Sequence, residues 1–195
     1  MIERQHADPR VEHLLVDRWS PRSFDGGDIP QADLDVIFEA AGWAPSSFNV
    51  QPWRFLYARR GDENWERFQS LLIEFNRNWA QHASVLIFIV SDTMQRRGDK
   101  VSPSHTHSFD AGAAWQNMAL QATAMGYHAH GMIGLDIPAA MKELDIPDDH
   151  RIEAAIAIGR QDEKEKLPED LRAREFPSNR KPVSDFAFAG NFPAR

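Results

Sequence analysis

The stretch from Ser84 to Asp92 constrains this chain most: Val85 to Val90 is an unbroken aliphatic and aromatic run, rich in β-branched residues, between a serine and Ser91-Asp92. A strand that shows no alternation is one covered on both faces, so this segment is expected to be the central strand of a sheet with helices packed on either side. The segments around it do not alternate as regular strand–helix–strand units. The expected class is therefore α+β, with helices around a mostly antiparallel central sheet. With 195 residues, 42% of them hydrophobic, the chain has enough apolar material for one domain spanning residues 1–195.

Taken in order, Asp8-Pro9 followed by Val11, Leu14 and Leu15 reads as a first helix, and Ile29-Pro30 opens a second whose face is Leu34, Ile37, Phe38 and Ala41, ending at Gly42. Trp53 to Arg59 alternates like a strand and is closed by Gly61-Asp62, and Trp65, Phe68, Leu72 and Phe75 mark a third helix. Met94 to Ser108 is polar and rich in charge, which predicts a mobile loop or a short lid over a site. Phe109 to Met125 is expected to be the longest core helix, stopped by Gly126; Tyr127 to Leu135 crosses to a short helix near Pro138 to Leu144. Glu153 to Gly159 reads as the last buried strand, Gln161 to Phe176 as a charged excursion suited to wrapping a partner, and Val183 to Phe188 as a possible edge strand.

Composition removes several function classes. The formal net charge of −7 argues against nucleic acid or an anionic membrane as partner, and the absence of cysteine excludes thiolate, disulfide and iron–sulfur chemistry. Redox chemistry would need a borrowed cofactor. The N-terminal residues lack an apolar signal core and no run is long enough to span a bilayer, so a soluble, cytoplasmic protein is expected.

Two short stretches carry the chemistry. Between Pro45 and Pro52, Ser46, Ser47, Asn49 and Gln51 offer hydroxyl and carboxamide groups that both donate and accept, which suits the edge of a flat, uncharged heterocycle; an ordinary polar surface turn has the same composition. In Asp17 to Phe24, Arg18 and Arg22 flank Ser20 in a segment that Pro21 keeps from being plain helix. Guanidinium forks with a hydroxyl or turn amide suit a phosphate, while solvated surface charge is the plainer reading.

Together, Arg18-Trp19-Ser20-Pro21-Arg22-Ser23-Phe24 and Ala44-Pro45-Ser46-Ser47-Phe48-Asn49-Val50-Gln51-Pro52-Trp53 resemble the nitroreductase family of flavoproteins, and the resemblance runs over nearly the whole chain. It implies FMN in the interface of an intertwined homodimer, with the arginine segment from one subunit and the Pro-Ser-Ser loop from the other. Carried over, Arg18 and Ser20 hold the phosphate, Trp19 between them counts among the cofactor-binding residues, Arg22 approaches the ribityl chain and pyrimidine edge, and Arg180 completes the phosphate clamp. The Arg180-Lys181-Pro182 ending also matches. Gly131-Met132-Ile133-Gly134 matches the segment whose backbone lies beside flavin N5, with Ile133 standing where other members carry an acidic residue. Asn76 matches either a family asparagine that touches the ring or a helix-terminal asparagine. No catalytic side chain is required on this reading.

The implied activity is FMN-dependent NAD(P)H oxidoreduction, a ping-pong cycle through flavin N5 to a nitroaromatic, quinone or similar small acceptor. No glycine-rich dinucleotide fingerprint follows a strand, so both substrates would use one pocket. The alternatives are a flavin-binding protein that stores or senses FMN, and a dehalogenase-type relative. His105, His107 and Asp110 resemble a metal set only loosely, and a polar loop with a capping aspartate explains them, so no metal is expected; His128 and His130 read as packing or surface residues. Six tryptophans and the apolar helix point to a homodimer.

Overall fold

Strand β2, Val85–Asp92, forms the spine of the fold, with Val85 to Val90 all at or below 2% exposure. The computed structural model describes residues 7–193. Around β2 lie helices α1 (His13–Asp17), α2 (Gln31–Gly42), α3 (Trp65–Ser70), α4 (Glu74–Ala80), α5 (His107–Ala124), α6 (Ile137–Glu143) and α7 (Glu169–Arg172). The remaining strands are β1 (Trp53–Arg59), β3 (Met94–Arg97), β4 (Lys100–Pro103), β5 (His128–Met132) and β6 (His150–Gly159). The main sheet has the order β1-β2-β6-β5, and every neighbouring pair in it is antiparallel.

The side-chain period of two explains the layers. Val85, Ile87 and Ile89 point into a core shared with Leu34, Ile37 and Ala41 of α2 and Ala111, Ala114, Met118 and Ala122 of α5. Leu86, Phe88 and Val90 point to the other side, against Trp65, Phe68, Leu72 and Trp79. Because the apolar run serves both cores, truncating Ile87 to alanine is expected to cost about 2–5 kcal/mol. The alanine-rich face of α5 lets that helix lie close to both α2 and the sheet.

Four expectations need correction. Met94 to Ser108 is not a loop: β3 and β4 pair from Met94↔Pro103 to Arg97↔Lys100 around the two-residue turn Gly98-Asp99, with Gly98 at φ 58°, and α5 begins at His107. A glycine of positive φ at the first turn position fits a tight hairpin, and the charged composition concealed it. The third helix is two, α3 and α4, separated at Leu71 to Ile73, where Leu72 bridges to Leu135. Val183 to Phe188 forms no strand; residues 183–185 make one 3₁₀ turn on the surface. At the N-terminus, Asp8 caps a turn through the Arg10 amide (3.0 Å) rather than a helix, and α1 starts only at His13. No described helix is long and apolar enough to cross a membrane.

Candidate functional site

The arginine segment leaves α1 at Arg18, and Pro21, Ser23 and Phe24 are buried. Residues 160–175 secure it. The Asp25 amide donates to the Arg160 carbonyl (3.1 Å), the Asp162 amide to the Ser23 carbonyl (3.1 Å), and Ser23 Oγ to the Glu163 carbonyl (2.8 Å). Glu175, with a fully buried side chain, accepts from the amides of Arg22 (2.6 Å) and Ser23 (2.9 Å) through Oε1. The charged excursion is therefore a brace for the arginine segment.

That segment borders two hollows. The smaller, about 260 Å³, brings Arg18, Trp19, Ser20 and Arg22 together with Arg174 and Arg180 from the C-terminal stretch. In a chain of net charge −7, four guanidiniums around one cavity are a donor set whose chemistry suits an anion. Arg18 Nη1 donates to Ser20 Oγ (3.4 Å), and Arg180 Nη1 to Ser178 Oγ (2.8 Å). The larger hollow, about 660 Å³, also takes Arg18 and Ser20 and adds Asn76, Met132, Ile133 and Gly134.

Asn76 is buried in α4, and its Nδ2 donates to the Gly134 carbonyl (3.0 Å). The Ile73 amide donates to the same oxygen (3.1 Å), so the backbone polar group of Gly134 without a partner among the described residues is its amide. A Cβ on Gly134 would meet Asn76 Nδ2 at 2.3 Å and Ile73 Cδ1 at 2.7 Å, so no other residue fits there without displacing both. Ile133, although it borders the larger hollow, is 80% exposed.

Residues 45–51 border neither hollow. Within this loop Phe48, Asn49 and Gln51 all have positive φ (51°, 57° and 50°), a conformation that disfavours a bulky residue such as Phe48 and costs about 1–3 kcal/mol per residue so held. The loop is kept in this shape from inside: Ser46 Oγ accepts the Gln51 amide (3.0 Å), and buried Asp110 Oδ2 accepts the Ser47 amide (3.1 Å) and Thr106 Oγ1 (3.0 Å). Outside, Arg97 of the β3–β4 hairpin lies 4.0 Å from the centre of the exposed Phe48 ring.

Several site-lining residues carried no clear sequence signal. His130 borders both hollows, its Nδ1 lying 2.9 Å from the Pro21 carbonyl; burial pushes its pKa from 6.5 down to about 4, so the ring is neutral at physiological pH. Only its alternation with His128 along β5 hinted at a shared face. His107 hydrogen-bonds to Ser91 Oγ (2.8 Å), which donates to Glu153 (2.6 Å), while Asp110 serves the 45–51 loop; the two residues have separate structural duties. Asp92, Asp149 and His150 do converge, and the Arg96 guanidinium ion-pairs with both carboxylates. A third hollow, about 460 Å³ between α1 and residues 178–186, has apolar walls in Val11, Leu15, Val183 and Phe186.

An antiparallel sheet flanked by helices, with an arginine-lined cavity joined through Arg18 and Ser20 to a second groove, defines a small α+β protein of a recognisable class. The Nitroreductase family profile matches residues 15–78 and 62–160, and the chain belongs to the nitroreductase family. A crystal structure described as an oxidoreductase containing FMN shares 49% identity and a TM-score of 0.95, covering 98% of this chain and 97% of that one. Protein DrgA of Synechocystis is 30% identical over 179 residues, covering 76% of this chain and 83% of DrgA. MhqN of Bacillus subtilis, named a putative NAD(P)H nitroreductase, is 23% identical over 206 residues, covering 89% of this chain and 96% of MhqN.

Proposed function

We propose that the protein is an FMN-dependent NAD(P)H oxidoreductase acting on small electron acceptors such as nitroaromatics or quinones. The observation that carries this reading is the cluster of Arg18, Arg22, Arg174 and Arg180 around one cavity that joins, through Arg18 and Ser20, the groove walled by residues 131–134. The residues fit FMN: guanidiniums and a hydroxyl for the phosphate, and the adjoining groove bordered by residues 131–134 for a flat ring. FMN, when bound, supplies the two-electron chemistry between NAD(P)H and the acceptor.

The protein's part is to bind and orient. Arg18, Ser20 and Arg180 hold the phosphate, Arg22 the adjoining chain, and Asn76 fixes the backbone of Gly134 so that amides of Ile133 and Gly134 border the ring. Because Ser46, Ser47, Asn49 and Gln51 lie in neither hollow, the loop from Pro45 to Gln51 serves the site of a second copy, and the working unit is a homodimer. Exposed Trp43, Phe109 and Ile133, each 80% exposed, supply apolar surface for that contact.

The test is the visible spectrum of the purified protein titrated with NADH and NADPH. Bleaching of a bound oxidised flavin, followed by recovery on adding a nitroaromatic, is expected; a bound flavin that neither nucleotide reduces would leave only a storage or sensing role. Subunit sharing is tested by mixing R18A dimers with N49A/Q51A dimers. After random exchange, half the dimers are mixed and each has one intact site, so about a quarter of all sites recover. No recovery would place both segments in one chain's site.

A further inference from the structure

Glu175 has a side chain shielded completely from solvent, yet it lies in the most charged stretch of the chain. Its Oε1 accepts two successive backbone amides, those of Arg22 and Ser23. Its Oε2 has no hydrogen-bond partner among the described residues, and Arg22 Nη1 lies 3.8 Å away. Two adjacent amides converging on one anionic oxygen form the concave backbone arrangement that elsewhere binds phosphate. Here a carboxylate of the same chain occupies it. The amides of Arg22 and Ser23 are therefore committed internally, and anion recognition in the adjoining hollow falls to Arg18, Ser20 and Arg180 with whatever share of Arg22 its guanidinium can give.

We infer that Glu175 is a positioning residue for the flavin phosphate: by fixing the Arg22-Ser23 backbone it holds the turn that presents Arg18 and Ser20, and so sets the preference for phosphorylated over unphosphorylated flavin. This rests on the FMN reading above. The brace explains why a buried, half-satisfied carboxylate is kept beside an anion site, where its charge alone would oppose phosphate. Without it, two amides of the turn lose their acceptor and the arginines flanking Ser20 lose their common frame. Leu167 and Leu171 are buried and anchor the stretch from which Glu175 projects, so the brace is fixed from its own side as well.

The experiment is fluorescence titration of apoprotein with FMN and, separately, with riboflavin, for wild type and for E175Q, E175D and E175A. The ratio of the two affinities is the readout that a general loss of structure would not move. E175Q keeps an acceptor oxygen for both amides and is expected to hold the wild-type ratio within about threefold. E175A is expected to lower FMN affinity at least about tenfold while leaving riboflavin affinity in place, and E175D, too short to reach both amides, to fall between. If E175A does not fold, E175D carries the test. Parallel loss of both ligands, an unchanged ratio in E175A and E175D, or a loss in E175Q as large as in E175A would overturn the inference. Wild-type protein that binds neither flavin would instead overturn the FMN reading on which it stands.

Discussion

His130 makes a quantitative prediction. Its ring packs 4.6 Å from that of Trp79, and Nδ1 faces the Pro21 carbonyl, which only accepts; the proton of the neutral ring is thus on Nδ1. Burial lowers the pKa from 6.5 to about 4; the bond to Pro21 opposes this and the nearby Arg22 and Arg18 charges add to it. Between those two values the unfolded chain binds a proton that the folded chain refuses, so stability falls as pH falls through this window and levels off below it. At about 1.4 kcal/mol per pH unit, the full loss attributable to this ring is about 3 kcal/mol. Wild type and H130N should be compared by urea unfolding, followed by tryptophan fluorescence, from about pH 7 to about pH 4.5. Every other group is the same in both proteins, so the difference curve isolates position 130. H130N, whose amide can still donate toward Pro21, should lose markedly less stability on acidification. Parallel curves would show that the ring accepts its proton in the folded state and would refute the burial argument.

R18A and R180A should each weaken FMN binding by one to two decades while leaving the fold intact, since about 1.5–3 kcal/mol attends a charge-assisted contact; flavin fluorescence quenching reads this, with K164A as the control. G134A should displace Asn76 from the Gly134 carbonyl and cost about 1–3 kcal/mol of stability by thermal unfolding, together with part of the flavin affinity. D110A removes the acceptor shared by the Ser47 amide and Thr106 Oγ1, so hydrogen exchange should accelerate across residues 46–51 with little change in the core strands; uniform acceleration would show that Asp110 supports α5 generally.

What was legible in the sequence follows from how local each determinant is. The strand from Val85 to Val90 and the small-residue face of α5 announce themselves, because burial on both faces or close helix approach leaves a composition that nothing else requires. The β3–β4 hairpin was illegible, because β4 is exposed throughout and β3 is only partly covered, so neither exerts a demand for apolar residues; only Gly98, at the first turn position, carried the information, and one glycine among charges is a weak signal. The arginine and Pro-Ser-Ser motifs could be found by their letters, but what holds them in place could not. Arg18 and Arg180 border one cavity from opposite ends of the chain, Asp110 reaches the Ser47 amide from another helix, and Glu175 reaches the Arg22 and Ser23 amides across more than 150 positions. A glutamate in the run Arg172 to Phe176 reads as solvated charge until the fold shows it wholly buried with two amides on one oxygen. The ligand-facing side chains can be recognised one at a time because each is chosen for its own chemistry. The supporting groups are chosen for where the closed chain puts them, and that depends on contacts no short segment contains.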